Sequence, residues 1–221
     1  MAKFLPAVAI TCLAVLGFNP AQAQTFHEKP ELDHVLKYYP TQLGEVHLAY
    51  EHVLDTERSN EFGLSYIYKS YANSNTWFGN FEECVGVGFR MSQRNYTTKK
   101  HSAPFGFFYG PAGSYKFVLF HENAIPQYRY DSNGNIIGGV GRVTQHSLAL
   151  QYLIGYHVVP WGRLSLEIVG GLGGRLIVGR ARGGEQDLDN FIIGHTLKSD
   201  RHTVIKATPA PTLNAAVGWA F

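Results

Sequence analysis

Charge is scarce in this sequence. Asp, Glu, Lys and Arg make up 16% of its residues, against roughly 25% in an average soluble domain. The 19 basic and 17 acidic residues nearly cancel, to a net +2, so there is no basic footprint for nucleic acid. Cysteine is almost missing. Cys12 lies in the apolar N-terminal stretch, which leaves Cys84 alone in the rest of the chain. A lone cysteine excludes an internal disulfide framework, and Cys84 reads as a small apolar residue in a strand. Beyond the N-terminal stretch no apolar run reaches the ~18–20 residues of a membrane helix. No sustained helical period occurs either. HExxH and CxxC are absent, and the 10 histidines are scattered, so no metal or cofactor is assigned. "GGVGR" and "GGLGGR" are followed by no helix, which removes them as phosphate loops.

What is present begins with an export signal. Lys3 supplies a positive start, residues 4–18 ("FLPAVAITCLAVLGF") an apolar core, and Ala21–Ala23 ("AQA") a small-residue cleavage site. This pattern predicts a cleaved signal peptide over 1–23 and a mature start at Gln24. Residues 24–43 read as an N-terminal periplasmic segment, and 44–221 as one domain.

Within that domain, period-two alternation recurs. "GEVHLAYEHVL" aligns Val46, Leu48 and Tyr50; "EFGLSYIYKSY" aligns Phe62, Leu64 and Tyr66; "CVGVGFRM" aligns Val85, Val87 and Phe89. "APFGFFYG", "SYKFVLF", "HSLALQYLIGYHV", "RLSLEIVGGLGGRLI" and the closing "APTLNAAVGWAF" do the same. Alternation with aromatic and β-branched residues is the strand signature. The fold class is therefore all-β: an antiparallel up-and-down transmembrane β-barrel of eight strands, with ten as the other count. "GPAG" (Gly110–Gly113) and "VPWG" (Val159–Gly162) read as tight turns, and 121–145 and 179–206 as long outer loops. Tight turns at one end and long loops at the other are the mark of outer-membrane barrels. Two features fit badly: Asp55–Asn60 is short for an outer loop, and Ala72–Glu82 is long for an inner turn. A hairpin around Asn133-Gly134 is expected above the barrel.

One strand face carries Leu, Phe, Tyr and Val, and is the candidate lipid face. The other is small and polar, as the narrow interior of an eight-stranded barrel requires. That inward face holds Glu45, Glu51, Lys69, Arg90, Lys116, Glu167 and Arg175, together with His47 and His157. Mixed charges in a filled lumen are expected to pair. At the C-terminus, Leu213, Val217, Trp219 and Phe221 share one face up to the last residue. That ending resembles the C-terminal assembly signal of bacterial outer-membrane barrels. "YYPTQLGEVHLAYEHVL", "FGLSYIYKSY", "APFGFFYGP" and the Pro-rich closing strand resemble a family of small Gram-negative outer-membrane barrels of unknown function. In architecture the chain is similar to OmpA- and OmpX-type barrels. The resemblance implies outer-membrane lipids, lipopolysaccharide and the barrel-assembly machinery as partners, with a possible extracellular ligand at the loops. It implies no catalytic residues.

Three other readings stay open: a narrow channel, a soluble secreted barrel with an apolar lumen, and a lipid A-modifying enzyme. For the last, His146, Ser147 and Glu167 are the residues at hand, but neighbours on a strand face opposite sides.

Overall fold

The computed structural model describes residues 32–72, 80–97, 103–121, 128–130, 136–138, 142–182, 192–200 and 202–221; the expected signal peptide lies outside them. Every regular element among these residues is a strand: β1 His34–Tyr38, β2 Glu45–Val53, β3 Arg58–Ala72, β4 Asn80–Tyr96, β5 Gly106–Phe120, β6 Tyr128–Tyr130, β7 Ile136–Gly138, β8 Arg142–Trp161, β9 Leu164–Arg182, β10 His195–Asp200, β11 Thr203–Pro209 and β12 Thr212–Ala220. An eight-stranded antiparallel ring closes in the order β1-β2-β3-β4-β5-β8-β9-β12 and back to β1. The last strand is broken at Pro209–Ala210–Pro211, where proline cannot donate to the ladder. β12 pairs with the lower part of β9 and β11 with its upper part, and β10 lies beside β11. β6 and β7 pair as the expected separate hairpin; its Asn133-Gly134 turn lies outside the described residues.

Two corrections to the sequence reading concern connectivity. Part of 24–43, read as a segment outside the barrel, is β1. The final strand closes on it, from Val35↔Ala220 to Tyr38↔Val217, and not on Gly44–Leu54. "HVLKY" is too short for alternation to stand out, and its inward positions are Val35 and Lys37, so it carries no polar stripe. The second correction is "GPAG". It is no turn, because β5 runs straight through it, with Gly110 opposite Leu153 and Pro111 opposite Tyr152. Gly110 is there for close approach: a Cβ would lie 1.9 Å from the Gln93 carbonyl oxygen on β4.

One strand is gained at the start and one lost at "GPAG", so the count of eight stands while the first connections change ends. The start of β1, Phe221, the turn at 54–57, the end of β4, the start of β5 and the turn at 162–163 share one end. The connections at 39–44, 73–79, 121–141 and 183–194 leave from the other. The short 54–57 turn thus shares its end with the 162–163 turn, and 73–79 leaves from the same end as 121–141 and 183–194, although the 97–105 link is longer than the 39–44 connection opposite it.

The faces are sorted as expected. Large apolar side chains point out of the ring, among them Leu64, Leu150 and Leu172, which are 65–74% exposed. Serines, glycines, alanines and nearly all the buried charges point in. This is the reverse of a soluble barrel, in which the apolar face points inward. Near the loop end the interior becomes apolar, with Ile67, Cys84, Phe120, Val143, Ile177 and Val204 packed together. Cys84 is a buried free thiol in that cluster.

Candidate functional site: a charge cluster across the lumen

Five strands of the ring send charged side chains to one level near the end that holds Phe221 and the start of β1. Lys37 comes from β1, Glu51 from β2, Glu61 from β3, Arg94 from β4 and Glu167 from β9, and none is more than 2% exposed. Period two forces this placement: each lies on the inward parity of its strand. Arg94 reaches all three carboxylates, at 3.2 Å from Glu51, 2.5 Å from Glu61 and 2.6 Å from Glu167. The Lys37 ammonium lies 3.2 Å from Glu61 and also contacts Glu51 and Glu167. The Tyr39 hydroxyl lies 2.9 Å from Glu61 and 3.0 Å from Glu167 and shares its one proton between them, Tyr96 donates to Glu51 at 2.6 Å, and the Ser59 hydroxyl donates to Glu51 as well. The Arg94 guanidinium stacks 4.4 Å above the Phe108 ring. Arg90, one layer further from that end, stands 4.0 Å from Glu61 and completes three cations against three carboxylates.

Buried charges cost several kcal/mol each unless they are paired and hydrogen-bonded. Here the carboxylates are crowded with donors, and Tyr39, Phe108, Leu153 and Val169 fill the space between. The result is a plug in which each of the three carboxylates is ion-paired to Lys37 and Arg94. The same crowding decides against a metal. Ligand atoms of Glu51, His157 and Glu167 lie within 4.8 Å of one another, but Lys37 and Arg94 already sit on those carboxylates and supply the charge an ion would bring.

Of the residues expected in the lumen network, Glu51, Glu167 and Arg90 belong to this cluster. Glu45 and Lys116 form a separate pair at 2.5 Å toward the loop end, where the lysine is 35% exposed. Arg175 is half-buried on the inward side of β9 and interacts with Glu45. Lys69 is a correction: it is exposed. A bulge follows Ile67, where Tyr68 and Lys69 both donate to the Gly44 carbonyl, and the extra residue turns Lys69 outward. Sequence reading missed Lys37, Glu61 and Arg94. Lys37 stood in the stretch placed outside the barrel. Glu61 shares the parity of Gly63 and Ser65, and Arg94 that of Gly86, Gly88 and Arg90. Glu61 already stood at the head of "EFGLSYIYKSY" and was passed over, whereas a longer strand after "CVGVGFRM" would have found Arg94.

The triad His146–Ser147–Glu167 is not assembled. Ser147 points inward while His146 points outward, bonded at 2.7 Å to the Tyr115 hydroxyl. Ser147 is level with Ile177, ten residues along β9 from Glu167, or roughly 33 Å of strand. A Ser–His contact does form at Ser65 and His47, 2.6 Å apart, but both are buried in the wall. Leu213, Val217, Trp219 and Phe221 all face outward on the closing strand, 42–79% exposed.

No protein-family model, no curated protein and no solved structure matches this chain; its shown likeness to OmpA- and OmpX-type proteins is the eight-stranded antiparallel closed barrel.

Proposed function

We propose that this chain is an outer-membrane β-barrel with a sealed interior, whose work is structural or is done by the connections at its loop end. The observation that carries the proposal is the inversion of the faces: a continuous apolar exterior around a charged, hydrogen-bonded interior. In water that exterior would be a large exposed patch; in a bilayer it is solvated. Trp161, Trp219, Phe107 and Phe221 are exposed near the end where β1 begins and β12 ends, and suit an interfacial girdle. In this reading that end faces the periplasm, and the connections at 121–141 and 183–194 face outward toward lipopolysaccharide or an extracellular partner. The expected signal peptide supplies export, and Phe221 the handle for the assembly machinery. Among the other readings, a conducting path would have to pass the Lys37–Arg94 plug. The lipid A enzyme lacks its assembled triad.

Fractionation tests the proposal. The protein should sediment with outer membranes, resist carbonate extraction, and migrate differently on gels before and after boiling, as closed barrels do. A mature chain that stays soluble without detergent would overturn it.

A further inference from the structure

His34, Tyr50 and His52 meet on the outer wall beside the closing seam, where β12, β1 and β2 run together. In the sequence the two histidines are 18 positions apart. In the ring they are direct partners, His34↔His52. On its other side His34 exchanges both backbone hydrogen bonds with Phe221, and Val53 donates to the Asp33 carbonyl. His34 and His52 are therefore a non-hydrogen-bonded pair, the kind that brings opposed side chains closest.

Their rings are 4.9 Å apart between centroids and 14° from parallel, yet their Nδ1 atoms are only 3.2 Å apart, so these edges face each other. The Tyr50 hydroxyl lies 2.7 Å from the same His34 Nδ1. A ring nitrogen carries one proton or one lone pair. With two partners at His34 Nδ1, one contact is unmade in either neutral tautomer. A cation accepting lone pairs from the two imidazole nitrogens resolves the conflict between them: metal–imidazole bonds of about 2.0–2.1 Å in a tetrahedral site put nitrogens roughly 3.3 Å apart. The Tyr50 hydroxyl, 2.7 Å from His34 Nδ1, is closer than that spacing, so it borders the ion rather than completing the tetrahedron.

We propose that His34 and His52, assisted by Tyr50, form a surface site for a divalent transition-metal ion of the zinc or copper kind. Imidazole suits these ions, and the half-exposed position leaves room for water as the remaining ligand. A bound ion clips β1 to β2 at the seam that closes the barrel. The site stands independently of the membrane reading, since it needs only the closed ring.

The test uses the full mature chain without an affinity tag, folded in detergent micelles and titrated with zinc chloride by calorimetry and with copper sulfate by electron paramagnetic resonance. The expected result is one saturable equivalent, with a copper spectrum showing nitrogen coordination. His34→Ala and His52→Ala should each weaken binding by at least about tenfold. Tyr50→Phe should weaken it less and keep the nitrogen signature, and His146→Ala should change nothing. Unboiled gel mobility confirms that each variant is folded. Should His34→Ala fail to close, the exposed His52→Ala carries the comparison. No saturable binding, or equal binding in the folded His52→Ala variant, would overturn the proposal.

Discussion

Arg94 touches Glu51, Glu61 and Glu167, stacks on Phe108, and has almost no contact with solvent. Removing it leaves three buried carboxylates with Lys37 as the one cation in direct contact among the described residues and Arg90 at 4.0 Å from Glu61. Breaking a buried network from one side costs about 3–5 kcal/mol. Arg94→Ala should therefore lower the urea midpoint of the micelle-folded barrel sharply, followed by tryptophan fluorescence. Lys69→Ala is the matched control. Its side chain is exposed beyond the bulge, and the change should stay within about 0.5 kcal/mol of the parent. The Glu45–Lys116 pair is intermediate, because partial exposure screens it, and its loss should cost under about 1 kcal/mol. Equal losses in Arg94→Ala and Lys69→Ala would mean that the cluster contributes no special stability.

At the scale of the element, the short strand and the glycines matter most. β1 has five residues, yet it joins the last strand to β2 and delivers Lys37 to the plug. Phe221 and His34 exchange hydrogen bonds in both directions, so the last residue is part of the seam and not a frayed tail. Deleting Phe221 removes that exchange together with the expected assembly handle, and should reduce the fraction of chain that reaches the heat-modifiable form. Gly110 reports on β4 and β5. A methyl group there would meet the Gln93 carbonyl at 1.9 Å, and backbone gives way less readily than a side chain. Gly110→Ala should cost about 1–3 kcal/mol or more by the same unfolding measurement. If "GPAG" were a tight turn, alanine at that position would be nearly neutral.

Seen whole, the barrel is unequal in height. β8 and β9 run for 20 and 19 residues, while β1 and β2 run for 5 and 9. About 9–11 residues cross a bilayer, so the β8–β9 wall stands well beyond that thickness. β11 pairs along the upper stretch of β9 and β10 lies beside it, so these two strands widen the wall rather than raise it. Sidedness follows from the proposed orientation. A short epitope inserted within 121–141 should bind antibody on intact cells, whereas one inserted at Gly162 should bind only after the outer membrane is permeabilised. The reverse pattern would invert the orientation and place the long connections in the periplasm.

The alternation itself was plain in the sequence, because a strand with one apolar and one polar face must repeat every two residues. It marked most of the strands, the sorting of the faces, and Glu51, Glu167 and Arg90 as inward charges. The count of eight came out correct through two errors that cancel. "HVLKY" is too short to show a period, and "GPAG" looks like a turn unless the strand beside it is known. Which charges meet, that Lys69 turns away, and that His34 lies opposite His52 are matters of register. Register is fixed by pairing between distant parts of the chain, and no local pattern carries it. The sequence determined that this chain forms strands with one apolar face and one small, polar face; that the apolar face points outward is seen only in the closed ring. Only the closed ring decided which of its polar residues share the inside, since closure sets the height at which each strand delivers its side chains.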